Sequence, residues 1–215
     1  MKDEQNMKKK QGKKAETKAG TKEETKEEIN IAHEILSTIL FMIFAVVFVL
    51  LINRYVGQRT PVNGPSMDIT LASGDNLWLN KFTYHFQDPE RFDIVVFPVP
   101  NGDHYIKRVI GLPGETVRIE EDGRIYIKEP DQDYELLEDK YAYYNNGVYE
   151  DPNEYENIAK EWTLDEDEYF VMGDNRNVSL DSRAEEVGTI ERERIIGKTT
   201  FRIWPLSRFG KIEDK

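Results

Sequence analysis

The feature that most restricts this chain is an uninterrupted apolar run from Ile35 to Ile52, ILSTILFMIFAVVFVLLI, with no charge and only Ser37 and Thr38 as polar members. At about 1.5 Å of rise per residue, and with its flanking turns, such a run is just long enough to cross a hydrocarbon core about 30 Å thick. A helix buried in a soluble core would be amphipathic, whereas this run is apolar on every side. A cleaved leader would have a shorter apolar core with a small-residue processing site just beyond it, but Asn53-Arg54-Tyr55-Val56-Gly57 follows instead. Residues 31–53 therefore read as a retained transmembrane helix, with the lipid bilayer as a partner.

Lysine placement predicts its orientation. Nine lysines lie within residues 1–30, while the first 28 residues after the span carry only Arg54 and Arg59. The positive-inside bias puts the N-terminus in the cytoplasm and residues 54–215 outside, so the bulk of the protein is expected to be extracytoplasmic. Residues 1–30 are too polar to bury a core and read as a disordered cytoplasmic tail.

The net charge of −12 is concentrated in one place: from Glu120 to Phe170 there are 18 acidic and four basic residues, a local charge of −14. A nucleic-acid partner is not expected, because phosphate binding needs a basic face. The chain has no cysteine, which excludes thiol nucleophiles, disulfides and cysteine-based zinc sites. His33, His85 and His104 are scattered without metal-ligand spacing, so no metal and no cofactor is expected.

Beyond residue 54 the apolar runs are short, β-branched or aromatic. Asn76–Leu79, Asp93–Phe97, Tyr105–Ile110, Thr116–Glu120, Arg124–Lys128, Glu168–Met172 and Thr199–Trp204 are strand-sized. Turn residues separate them, as in Ser73-Gly74-Asp75, Leu112-Pro113-Gly114 and Glu121-Asp122-Gly123. The pattern predicts a mostly β, antiparallel, barrel-like domain over 54–215. An acidic, tyrosine-rich stretch, about 122–168, reads as an inserted lobe with a hairpin turn at Asn145-Asn146-Gly147. Its ordinary reading is a solvated acidic face, with an interaction surface as the alternative.

Three blocks carry possible chemistry. In Asn63-Gly64-Pro65-Ser66-Met67, a serine sits on a turn constrained by glycine and proline, where a hydroxyl can stand exposed beside backbone donors. Strand alternation in Tyr105-Ile106-Lys107-Arg108-Val109-Ile110 puts Lys107 on one face and Arg108 on the other, each among apolar neighbours. A desolvated lysine loses pKa and can accept a proton from a hydroxyl, though a snorkelling edge-strand lysine would look the same. The run Met172-Gly173-Asp174-Asn175-Arg176-Asn177-Val178-Ser179-Leu180-Asp181-Ser182-Arg183 gathers hydroxyls, carboxylates and guanidiniums directly after an apolar strand. Taken singly, the first two blocks fit ordinary structural roles.

In this order, behind an N-terminal span, the blocks resemble the bacterial type I signal peptidases over about residues 35–205. The resemblance rests also on Gly74-Asp75, Asn80-Lys81-Phe82, Asp93 to Phe97 and the stretch from Gly197-Lys198 to Trp204-Pro205. It implies a serine endopeptidase acting on preprotein signal peptides, with Ser66 as the acylating nucleophile and Lys107 as general base. Ser179 would hydrogen-bond the lysine amine, and Asp174 and Asp181 would partner Arg108 and Arg183 in the site walls. The family's oxyanion hole uses the nucleophile's backbone N–H, joined in some members by a hydroxyl two residues earlier, where this chain has Gly64. Small side chains are implied at the first and third substrate positions before the cut. Asp68 departs from the family pattern and puts a carboxylate two residues from the nucleophile.

Three other readings remain. A Ser-His-Asp hydrolase would use His85 or His104, but Ser66 lacks a GxSxG context. A self-cleaving Ser-Lys repressor would share the pair but not the span. A signal-peptidase-like assembly factor, for example in pilus biogenesis, would have narrow or no proteolytic activity.

Overall fold

The computed structural model describes residues 33–100, 102–144, 147–150 and 160–212. The expected tail over 1–30 and the hairpin residues Asn145 and Asn146 lie outside the described residues. The chain divides into two compact units, one ending at Leu51 and the other running from Ile52. A continuous helix, His33–Val56, has the length and apolarity to cross a membrane, and its last turn, Ile52–Val56, is of the wider π type.

The second unit is built from short antiparallel strands. They are β1 (Gly57–Pro61), β2 (Asn76–Asn80), β3 (Ile94–Pro98), β4 (His104–Gly111), β5 (Thr116–Ile119), β6 (Ile125–Lys128), β7 (Glu135–Leu136), β8 (Lys160–Thr163), β9 (Glu168–Met172), β10 (Ile190–Glu191), β11 (Gly197–Trp204) and β12 (Gly210–Lys211). Eight of them form one sheet in the order β1-β2-β11-β3-β4-β9-β10, with β12 on β11; the others form a four-stranded sheet, β7-β6-β5-β8. The expectation of a mostly β, antiparallel fold is met, and the large sheet follows an open path rather than a ring.

The expected strands recur with ends shifted by a residue or two. β1 and the short strands β7, β10 and β12 lack a recognisable pattern: GQRTP and EL contain too few β-formers to signal a strand, and sheet neighbours hold them extended. The large sheet follows from burial. β3 is buried at four successive positions, Ile94 to Phe97, as a central strand covered on both faces must be.

Three apolar clusters hold the unit together. One packs Met67 and Leu71, from the turn after Ser66, against Leu77, Leu79, Ile94, Val96 and Ile106. Burying Met67 to 1% exposure contributes about 2 kcal/mol and fixes the turn to the sheet beneath it. A second joins Val117, Ile119, Ile125 and Ile127 of the small sheet to Ile110, Phe170 and Met172 of the large one. A third unites Val95, Phe97, Val109, Val171 and Ile190. Leu77 and Leu79 point into the core, whereas Trp78 and Phe82 stay exposed.

Candidate active site

Ser66 opens the turn that leaves β1. Gly64 has φ +87°, a left-handed conformation that a residue with a Cβ adopts only under strain, so the backbone itself disfavours a hydroxyl-bearing side chain here. The turn closes on itself through Asp68 N–H to Pro65 O (3.0 Å) and Leu71 N–H to Met67 O (2.7 Å). Asn175 pins it from outside. Its backbone N–H donates to Ser66 O (3.0 Å) and its Nδ2 donates to Pro65 O (3.2 Å).

Lys107 lies on β4, paired with Val95 of β3. It is 3% exposed, with its Nζ 5.1 Å from the centre of the Tyr105 ring, as alternation along the strand requires. Burial pushes its amine down to about 8; Asp181 and Asp174 oppose that shift, and Arg183 reinforces it. Ser66 and Lys107 line one open cleft of about 180 Å³, with Tyr105, Ile106, Val178 and Leu180 among its walls. His104 also lines this cleft, whereas Asp68 does not.

The polar run after β9 forms the floor. Gly173 N–H is shared between Ser179 Oγ (3.1 Å) and Asp181 Oδ2 (3.0 Å). Ser179 also hydrogen-bonds the Asp181 carboxylate. Asp181 is fully buried and held by Arg183 through Nε (2.8 Å) and Nη2 (2.9 Å). Burial alone would raise its carboxyl pKa, but Arg183 and these donors bring it below the usual range. Arg108, on the opposite face of β4 from Lys107, grips Asp174 with Nε and Nη2, both at 2.7 Å. Both acid–guanidinium pairs expected from the sequence are present in this geometry.

Gly173 is as small as its place demands. A Cβ built there would overlap Ser179 Oγ and the Ser66 carbonyl oxygen, so the floor and the nucleophile turn meet across this glycine. The sequence singled out neither Gly173 nor Asn175 for this contact, and both stand in the polar run that it flagged. The described residues contain no cluster of His, Cys, Asp and Glu able to hold a metal ion.

Comparison with known proteins gives the family. Residues 35–204 match the signal peptidase, peptidase S26, family. Signal peptidase IB of Staphylococcus aureus is 33% identical over 165 residues, covering 75% of this chain and 85% of that protein. A probable signal peptidase I-2 of Synechocystis is 34% identical over 172 residues, covering 76% of this chain and 70% of that protein. A crystal structure of a signal peptidase I from Enterococcus faecalis shares 33% identity, over 52% of this chain and 97% of that one, with a TM-score of 0.39. The chain belongs to the signal peptidase family, peptidase S26, and is a hydrolase of the serine-peptidase class whose family acts on preprotein signal peptides.

Proposed function

We propose that the chain is a membrane-anchored endopeptidase that removes signal peptides through an acyl-enzyme, with Ser66 as nucleophile and Lys107 as general base. The observation that carries this reading is a lysine buried to 3% exposure on the wall of the cleft that Ser66 also lines, its pKa near 8. A neutral amine accepts the Ser66 proton as Oγ attacks the scissile carbonyl. The resulting ammonium then returns a proton to the leaving amine, and water hydrolyses the ester by the same route. The Ser66 N–H stabilises the oxyanion, and Ser179 and Asp181 orient the base from below.

Substrate docking follows from strand pairing. The first half of β4, His104–Lys107, pairs with β3 on one side and with no described strand on the other. An extended signal peptide adds there as a further strand, with small residues before the cut. The apolar helix holds the enzyme at the membrane, with the peptidase unit extracytoplasmic and the lysine-rich N-terminus cytoplasmic.

Cleavage of a purified preprotein by the full chain in detergent, with Ser66→Ala, Lys107→Ala and His104→Ala beside it, tests the reading. Loss of turnover in the first two variants is expected. Retention in Lys107→Ala together with loss in His104→Ala would move the base to His104. No cleavage by the wild type would favour the assembly-factor alternative.

A further inference from the structure

The inserted lobe reaches back to the catalytic floor. After β7 the chain runs through Asp139, Tyr141 and Tyr143; Asp139 and Tyr143 meet the segment that pins the nucleophile turn, and Tyr141 reaches it through Arg108. Tyr143 N–H donates to Asp174 O (2.8 Å), and Arg176 N–H donates to Tyr143 O (3.0 Å). This makes a parallel bridge opposite Asn175, the residue whose backbone and side chain hold Ser66 and Pro65. Asp139 pairs with Arg176, a guanidinium only 1% exposed. Tyr141, 4% exposed, lays its ring face 3.6 Å from the centre of the Arg108 guanidinium, which is itself locked to Asp174. A cation on a desolvated aromatic face gains more than one in water, so the stack is a strong fixture.

These contacts share one target. Asp174, Asn175 and Arg176 are held on one side by Asp139–Tyr143, and on the other side Asn175 holds the turn that presents Ser66. Arg108 adjoins Lys107 on β4, so the Tyr141 ring also fixes the strand that carries the base. We propose that the segment Asp139–Tyr143 is a positioning strap that sets the spacing of nucleophile and base through residues 174–176, with Tyr141 as its anchor. This rests on the assignment of Ser66 and Lys107 above. The lobe is then a working part of the site in addition to being an acidic surface.

The test is steady-state cleavage of a preprotein by the full chain in detergent, with the folded fraction of each variant measured by thermal melting. Tyr141→Leu removes the ring face and Tyr141→Phe keeps it. The strap predicts a fall in kcat of about tenfold for Tyr141→Leu, with KM within about twofold, and near-normal kcat for Tyr141→Phe. Unchanged kcat in folded Tyr141→Leu, an equal loss in both variants, or a rise in KM with kcat retained would each overturn it. Should Tyr141→Leu fail to fold, Asp139→Asn decides, since a lower kcat at constant KM supports the strap and wild-type kcat sinks it. Ser66→Ala runs in the same series. Turnover by that variant would defeat the nucleophile assignment, whereas inert Ser66→Ala beside fully active Tyr141→Leu would defeat the strap alone.

Discussion

Arg108 and Asp174 form a two-pronged ion pair, both bonds at 2.7 Å, with side chains 2% and 0% exposed. Removing one partner from such a pair leaves the other charge buried without compensation. Asp174→Ala should cost about 3–5 kcal/mol in chemical denaturation. Arg108→Lys should fare nearly as badly, because an ammonium cannot reproduce the planar fork or the stack on Tyr141. A loss below about 1 kcal/mol for Asp174→Ala would mean that the pair is hydrated in solution.

Lys107 carries a cost that depends on pH. Its amine titrates near 8 when folded and near the ordinary lysine value of 10.5 when unfolded, so the unfolded chain binds more protons between those values. Stability should therefore rise as pH climbs from about 8 to about 10.5. Lys107→Met removes the burden, and at pH 7 it should be more stable than the wild type by about 3 kcal/mol. Denaturation midpoints of the two proteins should converge toward pH 10.5.

Gly173→Ala places a methyl group between Ser179 and the Ser66 carbonyl, so floor and nucleophile turn must separate. A misplacement of about 1 Å at a reacting centre costs on the order of a hundredfold. The expected outcome is a loss in kcat of at least that size in protein that still melts cooperatively. Wild-type turnover would show that the turn has slack.

Ile69 holds φ +75° three residues after the nucleophile, while its side chain is 47% exposed. A β-branched residue pays for that conformation without recovering much by packing. Ile69→Gly should raise stability by about 0.5–1 kcal/mol in thermal denaturation. A loss of stability would indicate that the exposed half of the side chain is packed in solution.

Much of this was legible in the sequence, for physical reasons. Strands such as Glu168–Met172 are buried on consecutive positions, so their composition alone marks them. Lys107 was legible as a candidate because it stands among apolar neighbours on a strand-sized run, but a snorkelling lysine has the same pattern, and its burial is set by the fold. The strap was not legible. Tyr141 and Arg108 are 33 residues apart, and no periodicity links a ring to the guanidinium it covers, so the acidic stretch read chiefly as a solvated face. Asn175 was hidden similarly: a polar residue in a turn gives no sign that it holds a serine 109 residues earlier. The strain at Ile69 is a property of the fold, since an isoleucine in sequence suggests a strand.

The central claim is that a neutral Lys107 takes the proton from Ser66, and the pH dependence of kcat/KM for preprotein cleavage tests it most directly. Protonated lysine cannot act as base, so the rate should rise tenfold per pH unit below the lysine pKa and level off above it. The midpoint should fall near 8, where burial places this amine. A rate that does not change between about pH 6 and 9 would contradict the account, because every group proposed to act with Ser66 would then already be in its working state.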